Sequence, residues 1–434
     1  MSSSARVPAR AAGPGGASDI ADPGLAGGGQ PRIAWAERAM PVLGMVTDAV
    51  TADQPFAGLA VAACLHVTAE TAVLVSLVTA GGGRVYLAAS NPLSTQDDIA
   101  AALAARPGVT VFARSGVDRD TYYDHIQRAL DCEPDLVIDD GCDLVNTLHG
   151  QRPELLARVR GGCESTTTGV ARLRRMAADG ILAFPVVAAD SSAARRMFDN
   201  FCGTGQSAID GIIRATNTLL AGKVVVVAGY GPCGRGIAER ASGLGARVIV
   251  TEVDPTLALE AIMRGFRVLP MAAAAPLGEV FVTATGSRDV IAAAHMARMR
   301  DGAILANAGH FDVEIDVRGL ADLAVTLRPK VRPHADEYVL ADGRRLILLA
   351  EGRVVNLVAG EGNPATVMDI SFAVQALALA WLAGEQRELA AGVHGVPAAI
   401  DARVARLALA SLDAEIDTLT AEQQDYLDSW RQGS

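Results

Sequence analysis

Side chains able to move protons recur in this chain at the ends of short apolar runs. His66 follows the run 59–64, Asp139 and Asp140 follow 136–138, and His310 comes soon after 303–306. Imidazoles and carboxylates are common general acids and bases. Each also has an ordinary structural use. A lone histidine packs in a core, and an aspartate at a strand end caps a turn or a helix. Position separates the two uses, because ligands of open parallel sheets gather at the carboxyl ends of strands. His125, His149, His295, His334 and His394 stand in no such pattern and carry no assignment.

A second chemistry is written at Gly229-Tyr-Gly231-Pro-Cys-Gly234. A four-valine run precedes it, helical periodicity follows it, and Glu252 closes the next apolar run. Gly229 permits the tight turn, Gly231 lets a pyrophosphate reach the backbone, and Gly234 lets helix and strand pack closely. The helix N-terminus then faces the phosphates. A carboxylate at Glu252 would hold the ribose hydroxyls of NAD and repel the extra phosphate of NADP. A lone glycine fingerprint is weak, but strand, turn, helix, strand and acid in register are not. The motif gives the cofactor and leaves the reaction open.

These residues need rigid supports. Of 434 residues, 50% are hydrophobic and only 4% aromatic. Small aliphatic residues therefore supply most of the core, as in α/β proteins with buried parallel strands. Residues 1–31, rich in Gly, Pro, Ala and Ser, read as a disordered leader. Strand and helix patterns then alternate: 59–64, 68–80, 84–88, 96–105, 110–112, 119–130 and 136–139. A second α/β unit begins near 221, with strands at 223–227, 247–251, 279–283 and 303–306. A long apolar helix follows at roughly 365–383, and 394–434 reads as polar helix and tail. Two doubly wound parallel-sheet domains are the expected architecture.

The chain carries 38 basic and 49 acidic residues, a net charge of −11, with no Lys/Arg cluster. No nucleic-acid partner is expected from that balance. The apolar strand runs are far short of a membrane span, and the N-terminus lacks a secretory apolar region. The six cysteines are scattered, which suits reduced thiols in a cytoplasmic protein and no metal site.

Several segments carry a family likeness. They are His66-Val-Thr68-Ala-Glu70-Thr71, Asn91-Pro-Leu-Ser94-Thr95-Gln96-Asp97 and Asp139-Asp140-Gly-Cys-Asp143-Leu. Thr166-Thr167-Thr168-Gly169-Val170, Phe198-Asp199-Asn200, Asn307-Ala-Gly-His310 and Ala350-Glu351-Gly352-Arg353 follow in the same order. From about residue 33 to 427 the chain resembles the adenosylhomocysteinase (S-adenosylhomocysteine hydrolase) family. The resemblance implies a substrate domain at 32–195 plus 363–393 and an NAD domain at 196–362. It implies adenine recognition by Thr68, Glu70 and Thr71, with Met368 and Phe372 near the ring. Thr166, Thr167, Thr168, Asn200, Gly229, Gly231, Gly234, Glu252, Asn307 and Asn356 would hold NAD. Asp140 would be the base at the 4′ carbon and His66 the acid/base at the 5′ carbon, with Asp199 and His310 beside the ribose. A homo-oligomer is implied too, a tetramer, or a dimer given the missing C-terminal tail.

The chain departs from the family at the site itself. Ser165 replaces a ribose-binding glutamate, Arg195 a lysine that helps deprotonate the 3′ hydroxyl, and Asn363 a histidine at the substrate mouth. Thr204 replaces a cysteine and Leu257 an asparagine. Arginine cannot accept a proton near neutral pH but can stabilise an alkoxide. Adenine and dinucleotide signatures survive while ribose positions change, which points to an altered outcome. The expected reaction is NAD-dependent oxidation at the 3′ carbon, 4′ deprotonation, elimination at the 5′ carbon and re-reduction. Its net result would be loss of water to a 4′,5′-unsaturated adenine nucleoside, as in a nucleoside dehydratase of specialised metabolism. The alternatives are S-adenosylhomocysteine hydrolysis and a non-catalytic regulator that binds NAD and adenosine.

Overall fold

The computed structural model describes residues 17–384 and 389–430. Two eight-stranded sheets organise the chain. The first holds β1 (Asp19–Ile20), β2 (Ala60–Leu65), β3 (Arg84–Ala89), β4 (Val109–Ala113), β5 (Leu136–Asp139), β6 (Gly161–Glu164) and β7 (Pro185–Ala188). The second holds β8 (Val224–Ala228), β9 (Arg247–Thr251), β10 (Arg267–Val268), β11 (Val280–Thr283), β12 (Ala303–Asn307), β13 (Ala324–Arg332), β14 (Ala335–Leu340) and β15 (Arg345–Leu349). A last strand, β16 (Gly392–Gly395), returns to the edge of the first sheet beside β7.

Strand order is β1-β4-β3-β2-β5-β6-β7-β16 in one sheet and β10-β9-β8-β11-β12-β15-β14-β13 in the other. Central strands such as β2, Ala-Val-Ala-Ala-Cys-Leu, are buried at every position. A continuous apolar run is what a parallel strand covered on both faces requires. The first sheet is parallel throughout. In the second, β14 adds antiparallel to β15, and β13 antiparallel to β14. The sequence reading does not place that hairpin: Val325, Leu327 and Val331 alternate with polar residues, yet β13 is largely exposed on both faces.

The expected disorder of residues 1–31 is corrected from residue 17 onward. Asp22 accepts the Gly24 N–H at 2.8 Å and caps a short 3₁₀ turn. The helix Ala26–Arg38 then runs through three glycines and Pro31. At Gly29 a Cβ would stand 2.2 Å from the Asp98 carbonyl, so the glycine run serves a close helix–helix approach. Arg32 locks it with a bond to Asp98 at 2.9 Å. Residues 1–16 lie outside the described residues.

The helix Ala365–Ala383 has the length and apolar character to cross a membrane, yet 72% of that window is buried inside the fold. Ile370, Phe372 and Leu379 pack into the core of the first sheet. Its one carboxylate, Asp369, accepts the N–H groups of Val42 (3.0 Å) and Leu43 (2.6 Å), capping the helix Pro41–Asp53 from a distance.

Candidate active site

The residues that follow β2, β5, β6, β8, β11 and β12 line one cavity of about 730 Å³, where the carboxyl ends of the two sheets face each other. His66, Thr68, Glu70 and Thr71 form one part of its wall. Asp140, Ser165, Thr166, Thr167 and Thr168 form the next. Arg195, Asp199, Asn200, Gly231, His310 and Asn356 come from the connecting segment and the second sheet. Asn363, Met368 and Phe372 close it from the long apolar helix and the loop before it.

Asp140 lies at a sharp turn. Gly141 has φ +104° and Cys142 φ +69°, so the chain reverses directly after the carboxylate. The Asp140 N–H donates to the Cys64 carbonyl at 2.9 Å, and its carboxylate accepts the Ser165 hydroxyl. Burial raises the Asp140 carboxyl, while the Ser165 hydrogen bond and the Arg195 charge pull it back down. A raised carboxyl is the stronger base once ionised.

Behind it lies a buried acid pair. Asp139 and Glu164 are register partners on β5 and β6. Asp139 accepts the Val145 N–H at 2.8 Å. Glu164 accepts the N–H groups of Gly141 (3.0 Å) and Thr166 (2.8 Å), which ties the Asp140 turn to the threonine run. Burial and the Asp140 charge push Glu164 up to about 8, and burial with the Glu164 charge raises Asp139.

The two imidazoles face each other, ring centroids 5.8 Å apart and edge to face. His66 Nδ1 bonds the Ser94 hydroxyl at 2.8 Å. Burial pushes His66 down to about 4, and burial with the nearby His66 does the same to His310. Both rings are therefore neutral at neutral pH and can accept a proton.

Arg195 ends the helix Ala193–Arg195, and Asp199 lies in the π-helical segment Arg196–Gly203 that follows. Such segments are rare and concentrate at functional sites. Arg195 pairs with Asp199 at 3.0 Å, both side chains nearly buried. Asp199 also accepts Asn363 Nδ2 (2.5 Å) and the Ser371 hydroxyl (2.7 Å). Three donors fix the position of this carboxylate against the cavity. Asn363 continues the network: its Oδ1 accepts the Ser207 hydroxyl at 2.7 Å, and Ser207 accepts Asn356 Nδ2 at 3.0 Å.

The residues around the glycine turn fit a dinucleotide. Gly229 has φ +92°, and a Cβ at Gly234 would collide with the Gly229 carbonyl. A Cβ at Gly231 would meet nothing within 4 Å, so the backbone there is open to a ligand. Asn356 Oδ1 is buried without a hydrogen-bond partner, a ready acceptor for a carboxamide N–H. Glu252 lies beyond the cavity wall at the end of β9, its carboxylate accepting the Tyr230 (2.6 Å), Val253 (2.6 Å) and Asp254 (3.0 Å) N–H groups. Asn307 requires a correction. It is fully buried, absent from the cavity wall, and its side chain is spent on Thr283, Gly309, Phe311 and Gly352. It shapes the His310 loop and has no free polar atom for NAD.

At the part of the cavity that follows β2, Thr68 caps the helix Ala69–Ala80 and burial raises the Glu70 carboxyl. Sequence reasoning missed Gln375, whose buried Oε1 has no partner. The signal was present: Met368, Phe372 and Gln375 recur at helical spacing on one stripe. It also missed Glu361, held on the cavity wall by Arg32 at 3.0 Å, and the pair Arg172 and Arg175. No periodicity marks Glu361, because it sits in a loop.

Two family descriptions match the chain: S-adenosyl-L-homocysteine hydrolase over residues 17–154, and its NAD-binding domain over residues 200–362. The adenosylhomocysteinase of Thermosynechococcus vestitus is 53% identical over 416 residues, 96% of this chain and 97% of its own. That of Aquifex aeolicus is 55% identical over 416 residues, 96% and 99% of the two chains. The chain belongs to the adenosylhomocysteinase family. It is an enzyme family, and NAD is its cofactor. The S-inosyl-L-homocysteine hydrolase of Methanopyrus kandleri is also similar, 51% identical over 415 residues, 96% of this chain and 98% of that one. The leading expectation of a dehydratase loses ground to its alternative, because full-length likeness at this level is to hydrolases.

Proposed function

We propose that this family member hydrolyses S-adenosyl-L-homocysteine to adenosine and homocysteine. The observation that carries the reading is the gathering of Asp140, His66 and His310 in one cavity with the glycine turn. Likeness to adenosylhomocysteinases over 96% of the chain supports the same substrate. The reading includes a cytoplasmic homo-oligomer with no nucleic-acid or membrane partner.

When bound, NAD supplies reversible hydride exchange at the 3′ carbon of the ribose. The protein's residues place and move protons. Arg195 stabilises the negative charge that develops on the 3′ oxygen, while Asp199 or a water takes the 3′ hydroxyl proton and returns it on re-reduction. Asp140 removes the proton on the 4′ carbon, made acidic by the adjacent ketone. The C5′–S bond breaks, and neutral His66 passes a proton between the leaving sulfur and the incoming water. Water adds its oxygen to C5′ and a proton returns to C4′. The sum is one water consumed, one thioether cleaved and no net redox change. Thr68, Glu70 and Thr71 hold the base, the buried Glu70 suiting an exocyclic amine.

Loss of water to a 4′,5′-unsaturated nucleoside is the second reading. One contact favours it: Ser165, in place of a glutamate, touches Asp140 and leaves a smaller, uncharged wall beside the ribose. Incubation with S-adenosylhomocysteine and with 5′-hydroxyl adenine nucleosides, followed by mass analysis, decides. Homocysteine release is expected. An alkene from a 5′-hydroxyl nucleoside with no homocysteine release would overturn the hydrolase reading in favour of the dehydratase.

A further inference from the structure

The helix Thr167–Ala178 presents one stripe to the cavity: Thr168, Ala171, Arg172 and Arg175. These positions recur at helical spacing, so they share a face. The stripe starts beside buried Ser165 and ends in solvent, where the Arg175 side chain is 79% exposed. Two guanidiniums thus stand at the open end of a cavity whose depth holds the proton-moving groups. Neither is used by the reaction described above.

Arg172 is fixed in place. It bonds Asp143 at 2.7 Å and the Gly141 carbonyl, and its guanidinium lies 5.6 Å from the centre of the Phe311 ring. Among the described residues Arg175 is paired only with Asp179 at 3.1 Å, an exposed bridge one helical turn away. Such surface pairs contribute little and yield readily to a better anion. The glycine turn at Gly231 borders the same cavity from the second sheet. Arg172 bonds the carbonyl of Gly141, the residue next to Asp140, so the stripe runs from the Asp140 turn out to the cavity mouth.

We propose that Arg172 and Arg175 form a carboxylate-binding subsite for the amino-acid end of the 5′ substituent. The inference rests on the reading that this cavity takes a 5′-substituted nucleoside, and it supplies a reason for a long anionic substituent over a hydroxyl. Arginine recognises carboxylates through paired N–H donors, and Arg172 is held on the cavity wall by Asp143 and Gly141.

The test is calorimetry on the NAD-loaded enzyme with two unreactive ligands. One is the 3′-deoxy form of S-adenosylhomocysteine, the other the same thioether without its carboxylate. The wild type should prefer the carboxylate ligand by about tenfold, the size of one charge-assisted hydrogen bond in a half-open site. Arg175→Ala should abolish most of that preference and leave adenosine and NAD affinities unchanged, with Arg175→Lys intermediate. No preference in the wild type overturns the subsite, as does a preference that survives in Arg175→Ala. Weakened NAD binding with unchanged thioether binding also overturns it, assigning the arginines to the dinucleotide. If the preference and its loss hold while S-adenosylhomocysteine is not cleaved, the hydrolase reading falls and the subsite stands.

Discussion

The His310 imidazole occupies the space where a side chain on Gly141 would begin: a Cβ there would stand 2.4 Å from His310 Nε2. The loop after β5 of one sheet and the loop after β12 of the other therefore meet backbone to ring. That contact brings the Asp140 carboxylate and the His310 ring into one site. It exists only because residue 141 has no side chain and tolerates φ +104°.

Gly141→Ala should accordingly separate the two loops. Displacement of a catalytic group by about 1 Å costs on the order of 100-fold in rate. We expect a loss of about that size in turnover, with NAD still bound because the glycine turn at Gly229 is remote. Steady-state kinetics beside a thermal-shift titration with NAD would show both. Unchanged turnover would mean that the Gly141 and His310 contact is not needed for chemistry.

The enzyme should discriminate NAD from NADP. Glu252 already accepts three backbone N–H groups, which fixes a carboxylate at the end of β9 where a ribose phosphate would be repelled. Thermal stabilisation by NAD and little by NADP is the expected pattern. Gly231→Val should remove the NAD response, since its Cβ position now faces open space that the pyrophosphate would use. Equal stabilisation by both dinucleotides would reject the assignment.

Asp140→Asn should uncouple the first step from the second. The amide keeps the shape and can still meet Ser165, but it cannot take the 4′ proton. Adenosine should still raise absorbance at the reduced-nicotinamide band, while exchange of the 4′ hydrogen with deuterated solvent stops. Continued exchange at the wild-type rate would move the role of base to another residue, His66 first.

Much of this was legible in the sequence. The βαβ grammar shows because each core strand is a short unbroken apolar run, as in β2 and β8. The site residues show because they close those runs, as His66, Asp140 and His310 do. What stayed hidden depends on contacts between distant segments. The glycines at 27–29 look like disorder until Asp98 and Ala102 are placed against Gly29. Asn307 looks like a cofactor ligand until four partners are seen to consume its amide. Arg172 and Arg175 look like an exposed helix face, because nothing in their spacing shows that this face borders a cavity.

Ser165 should tune the base it touches, and the sign of the effect is fixed. Burial raises the Asp140 carboxyl above the ordinary aspartate range, and the Ser165 hydroxyl opposes this by donating to the ionised form. A general base works only when deprotonated, so activity falls as pH drops through its pKa. Removing the hydroxyl withdraws a bond that favours the charged form, and the pKa then rises further. In Ser165→Ala the acid limb of the kcat profile should therefore move to higher pH, by up to about one unit for a bond of roughly 1–1.5 kcal/mol. Well above that limb, kcat should match or slightly exceed the wild type, because a more basic carboxylate removes the 4′ proton more readily. A shift toward lower pH would contradict the hydrogen-bond direction. An unshifted acid limb with intact 4′ exchange would mean that a group other than Asp140 sets it.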